Sequence, residues 1–208
     1  MFKYLHLFLM SALALFPVIN PIASALIVNP FFGNIDQKTR KKMVMKITVY
    51  CFFVCLVGLI GGKYILELFG LGVPVIKVMG GLILAKVGWD SLQGNNNKDG
   101  GAYTGNVAGM LFYPITFPIT TGGGVLAILF TLSAHVDDSS IWDYLFSIAM
   151  LVLAAAVNCA LVYILFLKSS IIDKINIQYQ TILNKLIAFI VLSVGAQITL
   201  NGILLIKW

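Results

Sequence analysis

Two proline-interrupted stretches carry the residues of this chain best suited to chemistry. Pro17-Val18-Ile19-Asn20-Pro21-Ile22-Ala23-Ser24 breaks an apolar stretch near the N-terminus, and Pro114-Ile115-Thr116-Phe117-Pro118-Ile119-Thr120-Thr121 breaks another near the middle. A proline withholds a backbone donor and crowds the carbonyl four residues before it. Two prolines four residues apart therefore free several backbone groups. In hydrocarbon such groups persist only where protein buries them or they line a cavity. The first break offers Asn20, whose amide carries two donors and an acceptor, and Ser24, whose hydroxyl is placed to cap the half-helix that follows. The second offers Thr116, Thr120 and Thr121 around Pro118, and then Gly122-Gly123-Gly124. Each glycine costs about 1 kcal/mol relative to alanine in a helix. Followed by an apolar helix, the three would present amides at a half-helix N-terminus, a ready place for a carboxylate. The chemistry implied is recognition of a small polar solute. No His-Glu-x-x-His, nucleophile elbow, Walker loop or Cys/His cluster occurs, so neither catalysis nor a metal site is expected.

The elements that must position these breaks are membrane spans. Of 208 residues, 60% are hydrophobic and 11% charged, and the mean hydropathy is +0.96. That composition excludes an ordinary soluble domain. The net charge of +6 does not indicate a nucleic-acid partner: Arg40 is the sole arginine, and the cations fall in short segments between apolar runs, as membrane orientation requires. Cys51, Cys55 and Cys159 all lie within apolar runs and read as small packing residues. The first apolar segment runs on into the first break, so it is expected to stay as a helix and not to leave as a signal peptide.

At about 20 apolar residues per span, six segments are expected: 4–32, 44–69, 74–92, 106–132, 141–167 and 183–206, the first and fourth broken at their proline pairs. Lys38, Arg40, Lys41, Lys42 and Lys46 follow the first span, and Lys168, Asp173, Lys174 and Lys185 lie between the fifth and sixth. A polar linker from Gln93 to Gly101 joins the third to the fourth. These three connections share one side, which the excess of lysine marks as cytoplasmic, so both termini are expected outside the cytoplasm. Tyr103, Trp142, Tyr144 and Trp208 fall near span ends, where aromatic rings favour the interface.

The breaks lie 97 residues apart, close to half the chain. Leu82 to Gly94 also lines up loosely with Ile190 to Gly202. The expected architecture is all-α: two inverted three-helix repeats, 1–97 and 98–208, in one membrane domain. In transporters of that design the site lies at midplane between paired discontinuous helices. Ionisable residues within spans are few. Lys86 and Asp90 stand at i, i+4 and read as a structural pair, as do Lys63 and Glu67. Asn158, Gln197 and Asn201 read first as interhelical hydrogen bonds, with Gln197 a lesser site candidate because it falls in the repeat. His6 and His135 are isolated near the outer face. The small-residue run Gly58 to Gly62 suits packing within a subunit or between subunits of a homo-oligomer.

With these motifs assembled, the sequence resembles the MarC family of six-span inner-membrane proteins, within the wider group related to the lysine exporter LysE. The resemblance covers nearly the whole chain. It rests on Leu15 to Ile22, Pro114 to Gly122, Val78 to Ile83 and Gly195 to Ile203. It implies an N-outside six-helix fold in a bacterial inner membrane. Some family members are described as sodium-coupled carriers of small neutral amino acids. Gly123 departs from the family, standing where many members have proline. The function expected is secondary transport of a small zwitterionic or neutral solute, with membrane lipid as the surrounding partner, no cofactor, and sodium or a proton as coupling ion. Pro17, Asn20, Pro21, Ser24, Thr116, Pro118, Thr120, Thr121, Gly122, Gly123, Gly124 and Gln197 are the candidate substrate-binding residues. An exporter or channel for a small solute, and a non-transporting membrane scaffold, are the alternatives.

Overall fold

The computed structural model describes residues 2–33, 35–93, 107–134, 136, 140–169 and 177–206. Gly94 to Gly101, Tyr103, His135, Asp137, Asp138, Asp173, Lys174, Lys207 and Trp208 lie outside the described residues, as does the expected boundary at 97/98. Among the described residues every element is helical. In chain order these are α1 (Phe2–Ile19), α2 (Pro21–Val28), α3 (Gln37–Leu68), α4 (Val73–Leu92), α5 (Leu111–Thr120), α6 (Gly123–Ala134), α7 (Ile141–Leu167) and α8 (Ile177–Leu204). Tight turns at Asn29–Phe32 and Val107–Met110 close α2 and open α5.

Length and composition qualify four helical stretches to cross a membrane: Phe2–Val28, Gln37–Gly62, Ile141–Leu167 and Lys185–Leu204. The bent pair Val107–Thr120 and Gly123–Ser133 makes a fifth when counted as one span. The expected third span does fold as the helix α4. It does not qualify as an apolar span, because Lys77, Lys86 and Asp90 fall within its 20 residues. By length and composition, four or five spans thus qualify among the described residues, against the six expected. The outer surface is apolar, with Phe53, Val49 and Ile60 of α3 and Leu153 and Ile164 of α7 all exposed, as lipid-facing helices require. At 1.5 Å per residue, the 32 residues of α3 extend roughly 48 Å against a hydrocarbon thickness of about 30 Å. Its basic opening turns thus reach past the hydrocarbon. Asp36 caps them, Thr39 N–H donating to its carboxylate at 3.0 Å. The Thr39 hydroxyl, and after it this backbone bond, lower the Asp36 carboxyl from its ordinary value.

The core forms where α1, α3 and α7 meet. Ser147, Leu151, Ala154, Ala155, Asn158, Cys159, Val162 and Phe166 are buried along α7, a helical stripe facing its neighbours. α1 runs parallel to it: Tyr4 donates from its hydroxyl to Asp143 near the start of both helices. Asn158 Nδ2 donates to Ala12 O of α1 at 3.2 Å midway, the interhelical bond expected of it. α3 runs antiparallel, and its Arg40 closes the far end. The guanidinium donates to Asn29 Oδ1 at 2.8 Å, to Phe166 O at 3.1 Å and to Ser169 Oγ, and it lies 5.2 Å from the centre of the Phe32 ring. One cation thereby joins the end of the first span, the start of α3 and the Phe166 carbonyl near the end of α7, where a helix C-terminus favours positive charge.

α4 packs most extensively against α8, antiparallel and backbone to backbone. A Cβ on Gly81 would lie 2.7 Å from Gly195 O, and one on Gly195 would lie 2.7 Å from Gly81 O. Further along, a Cβ on Gly88 would lie 2.5 Å from Leu192 N, and one on Gly202 would lie 2.8 Å from Val78 N. The contact is reciprocal about Gly81 and Gly195, with Gly88 against Leu192 at one end and Gly202 against Val78 at the other. Gly195→Leu is expected to push these helices apart and cost roughly 3 kcal/mol, read as a lowered thermal midpoint of the purified protein. Gly61→Leu, where a Cβ meets only Ile65 Cδ1 at 3.7 Å, should leave the midpoint close to that of the unmodified protein.

Candidate functional site

The first break is a single residue. α1 continues through Pro17 to Ile19, Asn20 adopts φ 43° and ψ 65°, and α2 begins at Pro21. Asparagine tolerates this left-handed conformation better than most residues. The backbone ladder continues around it, with Asn20 N–H donating to Phe16 O at 2.9 Å and Ser24 N–H to Asn20 O at 3.0 Å. Asn20 also supplies the cap: its Oδ1 accepts from Ala23 N–H at 3.3 Å. Ser24, expected to cap, instead donates its hydroxyl back to Ile19 O at 3.1 Å. That carbonyl would ordinarily take the Ala23 N–H, which the asparagine has claimed. Pro17 and Pro21 likewise withhold donors from the carbonyls of Leu13 and Pro17.

Beside this break lies a cavity of about 260 Å³, walled by Leu13, Phe16, Pro17, Asn20 and Ile22 and, across from them, by Ile187, Ile190 and Val194 of α8. Asn20, half-buried, is the one polar side chain among these wall residues. The remaining surface is apolar. The cavity can therefore hold a molecule smaller than a typical drug, with one oriented amide to fix it.

The second break is longer. Tyr113 and Phe117 are extended, at φ −119° and −121°, as the residue before proline prefers. Both Tyr113-Pro114 and Phe117-Pro118 are cis. The chain turns by 68° between this segment and α6. Three buried hydroxyls hold it, each donating to a carbonyl five residues back: Thr116 to Leu111 O at 2.7 Å, Thr120 to Ile115 O at 2.8 Å and Thr121 to Thr116 O at 2.9 Å. The three threonines are at most 1% exposed, so their protons are committed to the backbone. The glycines divide. A Cβ on Gly122 would lie 2.7 Å from Pro118 O, Gly123 opens α6 in free space, and a Cβ on Gly124 would lie 3.4 Å from Val18 and 3.2 Å from Leu84.

The two breaks thus adjoin where Gly124 meets Val18. The cavity at the first, however, faces α8, and the threonines of the second are not among its walls. Gln197 lies on the exposed face of α8, its Nε2 donating to Asn201 Oδ1 at 2.9 Å, away from both breaks. Lys86 and Asp90 form their i, i+4 pair at 3.3 Å on the outside of α4, while the Lys63 side chain lies outside the described residues. Sequence reasoning missed the α8 wall of Ile187, Ile190 and Val194, since nothing in an apolar run marks which face lines a cavity. It also read Arg40 only as an orientation charge. The signal that could have marked it was that Arg40 is the sole arginine in a chain otherwise served by lysine.

Apolar helices with lipid-facing surfaces, one span interrupted at a left-handed residue and another bent at a proline pair, define a multi-pass membrane protein with discontinuous helices. Residues 5–206 match the family described as MarC family integral membrane proteins, and the chain belongs to that family. It is 24% identical to the inner membrane protein MarC of Escherichia coli over 91% of this chain and 90% of that one. The Shigella flexneri and Shigella boydii proteins of that name match to the same extent. No solved structure matches.

Gly122→Ala is expected to disrupt the second break, because its methyl would strike Pro118 O. Gly123→Ala, in open space, should fold as the unmodified chain does and gain up to about 1 kcal/mol. Paired thermal unfolding measurements in detergent check both signs.

Proposed function

We propose that this chain is a secondary transporter for a small zwitterionic or neutral solute, with a small neutral amino acid the best-fitting class, working by alternating access between two inverted three-helix repeats. One observation carries the proposal: a left-handed Asn20, at a break inside a membrane span, lines a small cavity that is otherwise apolar. Such a break in a scaffold need not open onto a cavity, and its amide need not face one. Asn20 and the carbonyls released by Pro17 and Pro21 would take the solute's ammonium group. The amides opening α6 at Gly122, Gly123 and Gly124 would take its carboxylate once the α8 wall moves. Neither break contains a charged residue, which suits a solute that carries no net charge.

The repeat is supported by two correspondences. Ser24 donates to Ile19 O and Thr121 to Thr116 O, pairs separated by the same 97 residues as the prolines. The α4–α8 contact is reciprocal about Gly81 and Gly195, as a two-fold relation between halves requires. On this scheme α4 is the third of six spans, with Lys86 and Asp90 pairing on its outer face. The basic turns of α3 and Lys168 would mark the cytoplasmic side, leaving both termini outside. The inner-membrane name of the relatives fits that placement. Sodium or a proton would couple the cycle. Asn158 Oδ1 and Ser11 Oγ, buried in α7 and α1 without hydrogen-bond partners, are oxygens suited to a cation, since buried polar groups are ordinarily satisfied.

Uptake of labelled glycine, alanine and serine into liposomes containing the purified protein, with and without sodium and pH gradients, tests this function. Saturable uptake of at least one of them, accelerated by a gradient, is expected, with Asn20→Ala lowering it at least tenfold. Flux that never saturates would point to a channel. No flux of any of the three, and no change in thermal stability on adding them, would overturn the proposal.

A further inference from the structure

The end of the molecule at the N-terminus of α3 carries a second concavity, unconnected to the proline breaks. A cavity of about 870 Å³ lies between the opening of α3 and the end of α7, with Lys38, Arg40, Lys41 and Lys168 among its walls and the Tyr163 side chain at its floor. Tyr163 also belongs to an apolar groove of about 440 Å³ running down the same helix pair. Met45, Val49 and Phe52 form one side of that groove, and Ala156 and Ala160 the other. On each helix these positions recur at three- and four-residue spacing, so the groove is continuous along the α3–α7 contact. The alanines make it concave. Met45 and Val49 are 47% and 54% exposed, so it opens toward lipid. Seven residues of helix give it a depth of roughly 10 Å.

A basic chamber set directly above an apolar groove matches one class of molecule. We propose that the α3–α7 contact is a seat for a single anionic phospholipid. Its phosphate sits among Lys38, Lys41 and Lys168, and one acyl chain lies in the groove below Tyr163. The basic turns of α3 extend beyond the hydrocarbon, which brings these lysines to the depth of the headgroups. Basic pockets between membrane helices at this depth hold anionic headgroups. Orientation alone would account for lysines on this side. It gives no reason for them to ring a chamber that continues into an apolar channel. Arg40 stands at the chamber wall with its Nη2 bonded to Asn29, Ser169 and Phe166, so a lipid phosphate here would tie α3 more firmly to the ends of α2 and α7. The proposal does not depend on the transported solute.

The test uses the full chain purified in neutral detergent, titrated separately with phosphatidylglycerol, phosphatidylcholine and inorganic phosphate. Thermal stability and native mass spectrometry are the readouts. Phosphatidylglycerol is expected to bind at one per chain and raise the melting midpoint, with phosphatidylcholine and inorganic phosphate doing neither. Lys38→Gln, Lys41→Gln and Lys168→Gln together should weaken binding on the order of a hundredfold, each lysine contributing about fivefold. The lipid-free midpoint of this variant should stay near that of the unmodified chain, because none of the three lysines belongs to the Arg40 cluster. Ala160→Trp, which fills the groove and spares the lysines, should abolish retention of the lipid. Equal binding of the two lipids would overturn the proposal, as would undiminished binding by the triple variant. So would stabilisation by inorganic phosphate alone, which would make the chamber a soluble-anion site. A lipid-free dimer that Ala160→Trp dissociates would also overturn it, assigning the groove to a second copy of the chain.

Discussion

Hydrocarbon offers a freed backbone carbonyl no partner, so every proline placed inside a membrane span must be answered from within the protein. In this chain buried hydroxyls hold both interruptions, each donating to a carbonyl five residues back: Ser24 to Ile19, Thr116 to Leu111, Thr120 to Ile115 and Thr121 to Thr116. All four are buried. Each such bond contributes about 1 kcal/mol net, but leaving the carbonyl unpaired in this setting would cost more. The hydroxyls therefore secure the interruptions that make a cavity possible. They are structural first, and their position along each break sets where the backbone bends.

The second constraint is close approach. α4 and α8 carry several charged and amide side chains, including Lys77, Lys86, Asp90, Gln197 and Asn201. They are held to each other through glycine-lined backbone contact, not through a large apolar interface. Packing of this kind needs no hydrophobic driving force and is suited to a lipid environment. It also leaves the pair in lighter contact with α1, the helix that carries the first break. The cavity at Asn20 lies at that lighter contact, between α1 and α8. An element that must move to open or close a site is best placed where it slides as a preformed unit against the rest, and the α4–α8 pair has that character.

Much of this was legible in the sequence, for identifiable reasons. Pro21, Pro114 and Pro118 point to the interruptions at Asn20 and within 111–120 because no other residue removes a donor, whereas α1 runs on through Pro17. α7, and α3 beyond its basic opening turns, announce themselves as long apolar runs. What stayed illegible depended on tertiary contact. Asn20, not Ser24, caps α2, a choice made by the left-handed backbone that only the folded break reveals. The roles of Gly122, Gly123 and Gly124 differ because Pro118 O and Val18 approach two of them and nothing approaches the third. The α8 wall of the cavity and the Arg40 cluster join residues more than a hundred positions apart, where periodicity carries no information.

The central claim is that Asn20 faces a solute site reached from alternate sides of the membrane. The most direct measurement is the reactivity of Asn20→Cys, in a chain with Cys51, Cys55 and Cys159 replaced by alanine, toward a membrane-impermeant thiol reagent applied from each side. Alternating access predicts labelling that a bound small amino acid suppresses or shifts to the opposite side. A thiol that stays unreactive from both sides, or whose labelling no amino acid changes, would contradict it.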